Sequence, residues 1–326
     1  MLALNRRRLL QSLASTALAG SGISLQAQAA YPAKPVRVVV PFSPGGTADV
    51  IVRPLIEKLS LLLGQPLLAD YTAGAGGTLA AARVAAAAPD GYTLLLASTG
   101  GMATGPHVTK VAYDPVNSFS AISQVASSQY VLVVPVNSPI NNLAELLQQA
   151  KAKPGGLSYG TPGVGSLGHL AGELLKSRAG VDIVHVPYKG QSPMNVDLFG
   201  GRLDMAIAGL GGTAPAINAG RLRAIAVTGA VRSQSMPKVA TMAELGIAGF
   251  EASVFWGLCA PAGTPPEIIA KLNAAARSLV QTPDVQSYWI GQGQEPVSGT
   301  PAQFSALIQR EFERWRLVVK AANLNE

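Results

Sequence analysis

The chain has 326 residues, 48% of them hydrophobic and only 13% charged, a balance opposite to that of a disordered protein. Glycine (35) and proline (23) together make up about 18% of it against a usual ~12%, so tight turns and close backbone contacts must be frequent. The formal charge of +7 falls to +4 without Arg6, Arg7 and Arg8, and the other basic residues form no run with interleaved aromatics, which excludes a nucleic-acid partner.

Residues 1–29 read as a secretory signal. A basic region ends at Arg8, an apolar stretch runs from Leu9 to about Ala19, and Ala27-Gln28-Ala29 is a small-residue cleavage site. Asn5-Arg6-Arg7-Arg8-Leu9-Leu10 fits a twin-arginine pattern, and a general secretory signal fits nearly as well. The mature chain is expected to start at Ala30 in the periplasm. No later segment reaches the ~20 residues of a membrane span, so none is expected after signal removal. Cys259, the only cysteine, lies in an apolar run and is expected to be a small buried residue.

Strands and helices then alternate, which predicts an α/β fold with mostly parallel sheets. Val36–Val40 is a buried strand, and Pro41 leads into the loop Ser43-Pro44-Gly45-Gly46-Thr47. Val52, Leu55, Ile56, Leu59 and Leu63 mark a helix that passes Pro54 and closes at Gly64. Leu67–Ala69 is a strand, Ala73–Gly77 a second glycine loop, and an alanine-rich helix runs to about Ala88. Tyr92–Ala97 is the next strand. Val131–Val134 opens a second unit, followed by a helix through Leu143, Leu146, Leu147 and Ala150. Leu157–Gly160 is a strand, Thr161–Gly165 a third glycine loop, and Ser166 to about Arg178 a helix. Asp182–Val186, Leu203–Ala208 and Ala224–Val227 are strands, and Ser192-Pro193 reads as an N-cap with proline at the first helical position. After about Phe250 longer helices are expected. Thr264-Pro265-Pro266-Glu267 and Thr300-Pro301-Ala302-Gln303 read as capping boxes. The last helix places Phe304, Leu307, Ile308, Phe312, Trp315 and Val319 on one core face.

This order suits a middle lobe, residues 127–253, flanked by two parts of another, residues 30–126 and 254–326. The two crossings, near Ala126–Tyr130 and Gly249–Val254, are the expected hinge.

The three glycine loops, Pro44–Thr47, Gly74–Gly77 and Gly163–Ser166, each join a strand to a helix N-terminus. Parallel α/β sheets bind ligands at such ends, and free N–H groups with positive dipole ends favour a small anion. Catalytic patterns are missing: there is no His-Glu-x-x-His, no cysteine cluster for zinc, no Gly-x-Ser-x-Gly and no Walker lysine. No metal or cofactor is expected, and the chain reads as a non-enzyme. Gly163-Val164-Gly165-Ser166-Leu167-Gly168 does match a dinucleotide fingerprint, with Asp182 at about the right distance, and an exported oxidoreductase is the rival reading. Against it, Asp182 opens the following strand, while a ribose-binding acid belongs at the strand's end. Asp49 suits either a helix dipole or a ligand-lining role. His169 reads as packing or as a ligand donor, Lys189 as a turn lysine or a carboxylate partner, and Asp204 as a strand terminator or a pocket support.

The ordered segments Val40-Pro41-Phe42-Ser43-Pro44-Gly45-Gly46-Thr47-Ala48-Asp49, Gly74–Gly77, Ala88–Leu94, Tyr159–Ser166 with His169-Leu170, Val186–Gly190, Trp256-Gly257-Leu258 and Ala260–Pro265 carry a resemblance. Over about Tyr31–Ala322 the chain resembles the periplasmic solute receptors of tripartite tricarboxylate transporters, the Bug-type or TctC-type extracytoplasmic binding proteins. The resemblance implies a two-lobed periplasmic-binding-protein fold (type II) that closes about its hinge and delivers a small carboxylate to transporter membrane subunits. A sensor partner that presents the ligand to a membrane receptor remains open, and a monomer is expected. It implies ligand roles for Ser43, Gly46, Thr47, Asp49, Gly76 and Gly77, and for Thr161, Gly165, Ser166 and His169, partly through ordered waters. Phe42, Gly45, Gly163, Lys189 and Asp204 complete the candidate set. Two segments depart from the family pattern. Asp70-Tyr71-Thr72-Ala73 replaces the usual asparagine and proline before the second loop, which is expected to reshape a pocket wall. Lys238-Val239-Ala240-Thr241 replaces Asp-Val-Pro-Thr in a loop not expected at the ligand.

Overall fold

A computed structural model of the chain describes residues 31–321. The expected signal segment 1–29 and its cleavage site lie outside the described residues. From Lys34 onward the described chain forms one unit, built on a ten-stranded mixed sheet that changes partners along one long strand.

The first wing begins with β1 (Val36–Val40), whose apolar run is flanked by β2 (Leu67–Tyr71) and β3 (Thr93–Ser98), both parallel to it. Between β1 and β2 runs α1 (Thr47–Leu63), ended by Gly64 in the left-handed conformation with its N–H on the Ser60 carbonyl. Pro54 lies inside this helix and cannot donate to the Val50 carbonyl. The indole N–H of Trp289 takes its place, donating to Val50 O at 3.1 Å. An interior proline is thereby accommodated without an orphaned carbonyl. The second helix, α2 (Thr78–Ala85), is shorter than its alanine pattern suggests.

Strand β4 (Phe119–Pro135) is 17 residues long, far beyond the Val131–Val134 read from sequence. Its first part pairs antiparallel with β9 (Ser253–Pro261), from Phe119↔Pro261 to Gln129↔Ser253. The short β10 (Gln294–Pro296) lies on its other edge. From Tyr130 on, β4 pairs with β7 (Met205–Gly209) and β8 (Leu222–Val227), both antiparallel. Beyond β7 the second wing continues in parallel through β5 (Ser158–Thr161) and β6 (Val184–Pro187). The sheet is thus parallel in its outer parts and antiparallel around β4 and β9. The switch of partner between Gln129 and Tyr130 divides the two wings.

Helices cover both wings: α3 (Leu143–Ala152), α4 (Leu167–Ala179), α5 (Gln191–Phe199) and α6 (Leu210–Asn218) belong to the second, and α7 (Pro266–Val280), α8 (Pro283–Gly291) and α9 (Pro301–Ala321) follow β9. The second wing buries Val131, Val133, Met194, Leu198 and Ile207, and α9 buries Phe304, Ile308, Trp315 and Val319. Cys259 is fully buried in β9, and burial pushes its thiol pKa up.

Caps follow the sequence in part. Thr300 and Gln303 bond reciprocally, N–H to side chain, at 2.8 and 3.2 Å. Thr264 forms no such box; its hydroxyl donates to the Pro261 carbonyl at 2.8 Å, and Pro265 is the N-cap of α7. Helix α5 opens at Gln191, capped by Gly190, so Ser192 is inside the first turn and free for another task. No helix of the described residues is long and apolar enough to cross a membrane.

Candidate ligand-binding cleft

The carboxyl ends of β1, β2 and β3 in one wing, and of β5, β6 and β7 in the other, feed the loops that meet between the wings. Gly46 is the N-cap of α1 and makes no side-chain cap; the Asp49 N–H turns back to its carbonyl at 3.0 Å, and Thr47 and Ala48, at the start of the helix, line the pocket with their amides outside the helical ladder. Asp49, one turn in and 4% exposed, collects three donors. These are the Gly45 N–H at 3.2 Å, Arg53 Nε at 2.6 Å and the Tyr71 hydroxyl. Burial and the bond to Asp49 push the Tyr71 hydroxyl up to about 12. Tyr71 is one of the departures from the family pattern, and it turns toward the first loop. Its neighbour Asp70 is held by Arg37 at 2.9 Å and Arg83 at 2.7 Å.

Between the wings lies a pocket of about 10 Å³, room for roughly one water. It is lined by Phe42, Gly46, Thr47 and Ala48 from the first loop and helix, Trp256 from β9, Tyr130 from β4, and Pro162 and Gln191 from the second wing. None of these side chains is charged, so an anion here is met by main-chain and neutral donors. Phe42 and Trp256 touch edge-on, with ring centroids 6.2 Å apart.

The wings are tied across this pocket. Thr47 Oγ1 donates to Gln191 Oε1 at 3.0 Å and accepts from the Gly212 N–H at 3.1 Å. Gln191 Nε2 donates to the Gly209 carbonyl at 2.9 Å, which fixes the orientation of its amide. Ser192 Oγ donates to the Pro44 carbonyl at 2.6 Å, Thr104 Oγ1 to the Gly165 carbonyl at 2.6 Å, and the Ser43 N–H to the Lys189 carbonyl at 3.4 Å.

The second and third glycine loops pack on one another beside the pocket. A Cβ on Gly76, whose φ is +61°, would stand 2.5 Å from the Val164 carbonyl oxygen and 2.6 Å from the Ser166 nitrogen. One on Gly165, at φ +76°, would stand 2.8 Å from the Gly105 Cα. Both positions therefore require glycine. Gly77 sits beside Gly101 and Ser98, and Gly163 against the Gly76 nitrogen. Ser166 caps α4, its hydroxyl accepting the His169 N–H at 3.3 Å. His169 Nδ1 accepts the Gly165 N–H at 3.2 Å, and its ring stacks on His185 at 4.2 Å. His185 Nε2 in turn bonds Thr161 Oγ1 at 2.7 Å. Burial lowers the pKa of both rings; that of His185 drops to about 3, with His169 adding to the effect.

Of the residues singled out from the sequence, Phe42, Gly46 and Thr47 line the pocket. Ser43, Gly45, Asp49, Gly76, Gly77, Thr161, Gly163, Gly165, Ser166 and His169 build the loops around it. Lys189 is exposed and offers its carbonyl, not its ammonium, to the other wing. Asp204 lies at the far, amino end of the strands, where its carboxylate accepts from the N–H and hydroxyl of Ser158 at 2.7 and 2.8 Å. Sequence reasoning missed Tyr130, Pro162, Gln191 and Trp256 as lining groups. For Gln191 the misplaced start of α5 hid the signal, since a residue at a helix N-terminus after a strand was itself a candidate.

Comparison with known proteins agrees with this architecture. Residues 51–324 match the profile described as tripartite tricarboxylate transporter family receptor. The protein BugT of Bordetella pertussis is 38% identical over 306 residues, covering 93% of this chain and 94% of BugT. The solved structure of Rpa4515 of R. palustris with adipate superposes with a TM-score of 0.87 at 35% identity, covering 90% of this chain and 98% of that one. That of MatC from Rhodopseudomonas palustris with bound malate gives 0.85 at 32%, covering 89% and 100%. An amide-lined pocket at the meeting strand ends of two sheet wings and full-length likeness lead to one statement: the chain belongs to the tripartite tricarboxylate transporter receptor family.

Proposed function

We propose that this chain is a periplasmic receptor that captures a small carboxylate between two lobes and delivers it to the membrane subunits of a tripartite tricarboxylate-type transporter. The lobes are residues 30–126 with 254–326, and 127–253. They pivot where β4 changes partner and where the chain returns before β9. The observation that carries this reading is the uncharged, amide-lined pocket under the N-terminus of α1, closed from the other wing by Gln191. The carboxylates held by Rpa4515 and MatC support it. The receptor works by closure and performs no chemistry, in keeping with a family of substrate-binding proteins. It acts as a monomer, without cofactor, in the compartment indicated by its secretory signal. The oxidoreductase reading loses support from two placements. Gly76 packs against the open side of the 163–168 loop, where a pyrophosphate has to lie, and Asp182 precedes β6 instead of ending it.

A thermal-shift screen of the mature chain against carboxylates tests the proposal, because a ligand that binds only the folded form raises the melting temperature. A shift with a small carboxylate and none with NAD is expected. A shift with NAD and none with any carboxylate overturns it.

A further inference from the structure

Buried polar side chains in native proteins have partners, and one without a partner points to something that arrives from outside. Two such groups stand opposite each other on adjacent strands, one of them on a residue that lines the cleft. Ser98 is the last residue of β3, 1% exposed, and its Oγ is buried with no hydrogen-bond partner. Trp256 is its register partner on β9, 2% exposed, and its Nε1 is likewise buried and unpartnered. Directly opposed residues of an antiparallel pair project from the same face. Trp256 lines the pocket beside Gly46, Thr47 and Ala48. Ser98 stands at the carboxyl end of its strand, with its Oγ 3.5 Å from where a Cβ on Gly77 would lie. A third unpartnered hydroxyl, Ser43 Oγ, follows Phe42, whose ring meets Trp256.

We propose that Trp256 Nε1 and Ser98 Oγ are the specificity-determining donors of the cleft, and that they read a second oxygen of the ligand while the amides of α1 hold its carboxylate. This rests on the carboxylate reading above and adds the ligand class. An indole N–H only donates, and a serine hydroxyl can donate, so the complementary group is an oxygen acceptor. Neither donor is charged, so the acceptor is a hydroxyl, oxo or second carboxylate oxygen. The selected ligands are therefore hydroxy-, oxo- or di-acids. Plain acids of the same skeleton are rejected, because they leave both donors buried and unpaired.

The experiment is calorimetric titration of the mature full chain with acids paired by skeleton: adipate with hexanoate, malate with butanoate, hydroxybenzoate with benzoate. Wild type is expected to prefer an oxygen-bearing member by at least about 10-fold over its plain counterpart. Trp256→Phe keeps the ring and loses the N–H, and Ser98→Ala loses the hydroxyl. Each is expected to weaken the oxygen-bearing acid by about 10–100-fold, while the plain acid, which no longer leaves that donor unpaired, binds at least as well as to wild type and by up to about 10-fold better. Unliganded melting curves check folding, and Ser98→Ala stands alone if Trp256→Phe does not fold. Variants that bind as wild type does, or a wild type indifferent to the second oxygen, overturn the inference and leave the carboxylate receptor standing. A wild type that binds no acid of the panel overturns the receptor reading itself.

Discussion

The hydroxyl of Thr47 is shared between the two wings of the sheet: it donates to Gln191 Oε1 at 3.0 Å and accepts from the Gly212 N–H at 3.1 Å. Opening the wings breaks both bonds at once. Thr47→Val keeps the shape of the side chain and leaves two buried groups unpaired in the closed form only. Each such group costs about 1–3 kcal/mol and there are two of them, so the apparent affinity for whichever carboxylate raises the wild-type melting temperature falls by at least about 30-fold. Thr47→Ser retains the hydroxyl and recovers most of this. Equal affinities for Thr47→Val and wild type in a titration would sink the latch.

Gly76 makes the second test steric. Its missing Cβ is what lets the second loop meet the Val164 carbonyl and the Ser166 nitrogen, and its φ of +61° also suits glycine. In Gly76→Ala the methyl group wedges against rigid backbone of the other wing. Small-angle scattering should show a radius of gyration that no longer contracts with the ligand, and affinity should drop with it, since only the closed fraction binds tightly. Normal contraction in the variant would mean that this contact is not the closing face.

Much of this site was legible because glycine at strand-to-helix junctions is a backbone signal. Gly46, Gly76 and Gly165 all sit at packed turns of the cleft. What sequence could not show were the groups brought in by β4 and β9. After Ser253, β9 is apolar and buried on both faces through Pro261, so it lacks the alternation that marks a strand. Its Gly257 reads as a breaker, yet it makes room for the Phe304 ring, whose Cζ would stand 2.2 Å from a Cβ there. With β9 unread, Trp256 had no reason to be placed at the pocket. Asp204 was legible at the start of its strand, and of its two readings the bonds to Ser158 match the strand-terminating one.

Asp49 organises the first loop through Gly45, Arg53 and Tyr71, and does not line the pocket. Tyr71→Phe removes one of these donors and should cost about 1 kcal/mol, lowering the melting temperature by about 2 °C. Asp49→Asn should cost more, because a neutral amide offers Arg53 and Tyr71 a poorer acceptor. Both variants should weaken ligand binding in step with their loss of stability. If Asp49→Asn lost binding while Tyr71→Phe kept it in full, Asp49 would be a ligand contact.

The stacked pair His169 and His185 predicts acid sensitivity. Burial lowers both folded pKa values below the usual 6.5, that of His185 to about 3. Above 6.5 both rings are neutral, folded or unfolded, and the pair imposes no penalty. As pH falls from 6.5 toward 3 the unfolded chain takes up protons that the folded chain resists, so stability declines across that window. For His185, discounting the shift for the ring's partial exposure, the loss at pH 4.5 is about 1–2 kcal/mol. Denaturant melts at pH 7 and 4.5 should show this drop in wild type. His185→Gln keeps a partner for Thr161 but cannot titrate, so its drop should be smaller by about the same 1–2 kcal/mol. Because Thr161 and Gly165 are bonded to these two rings, ligand affinity should weaken over the same range in wild type and less in the variant. An unchanged acid slope in His185→Gln would assign the sensitivity to other groups.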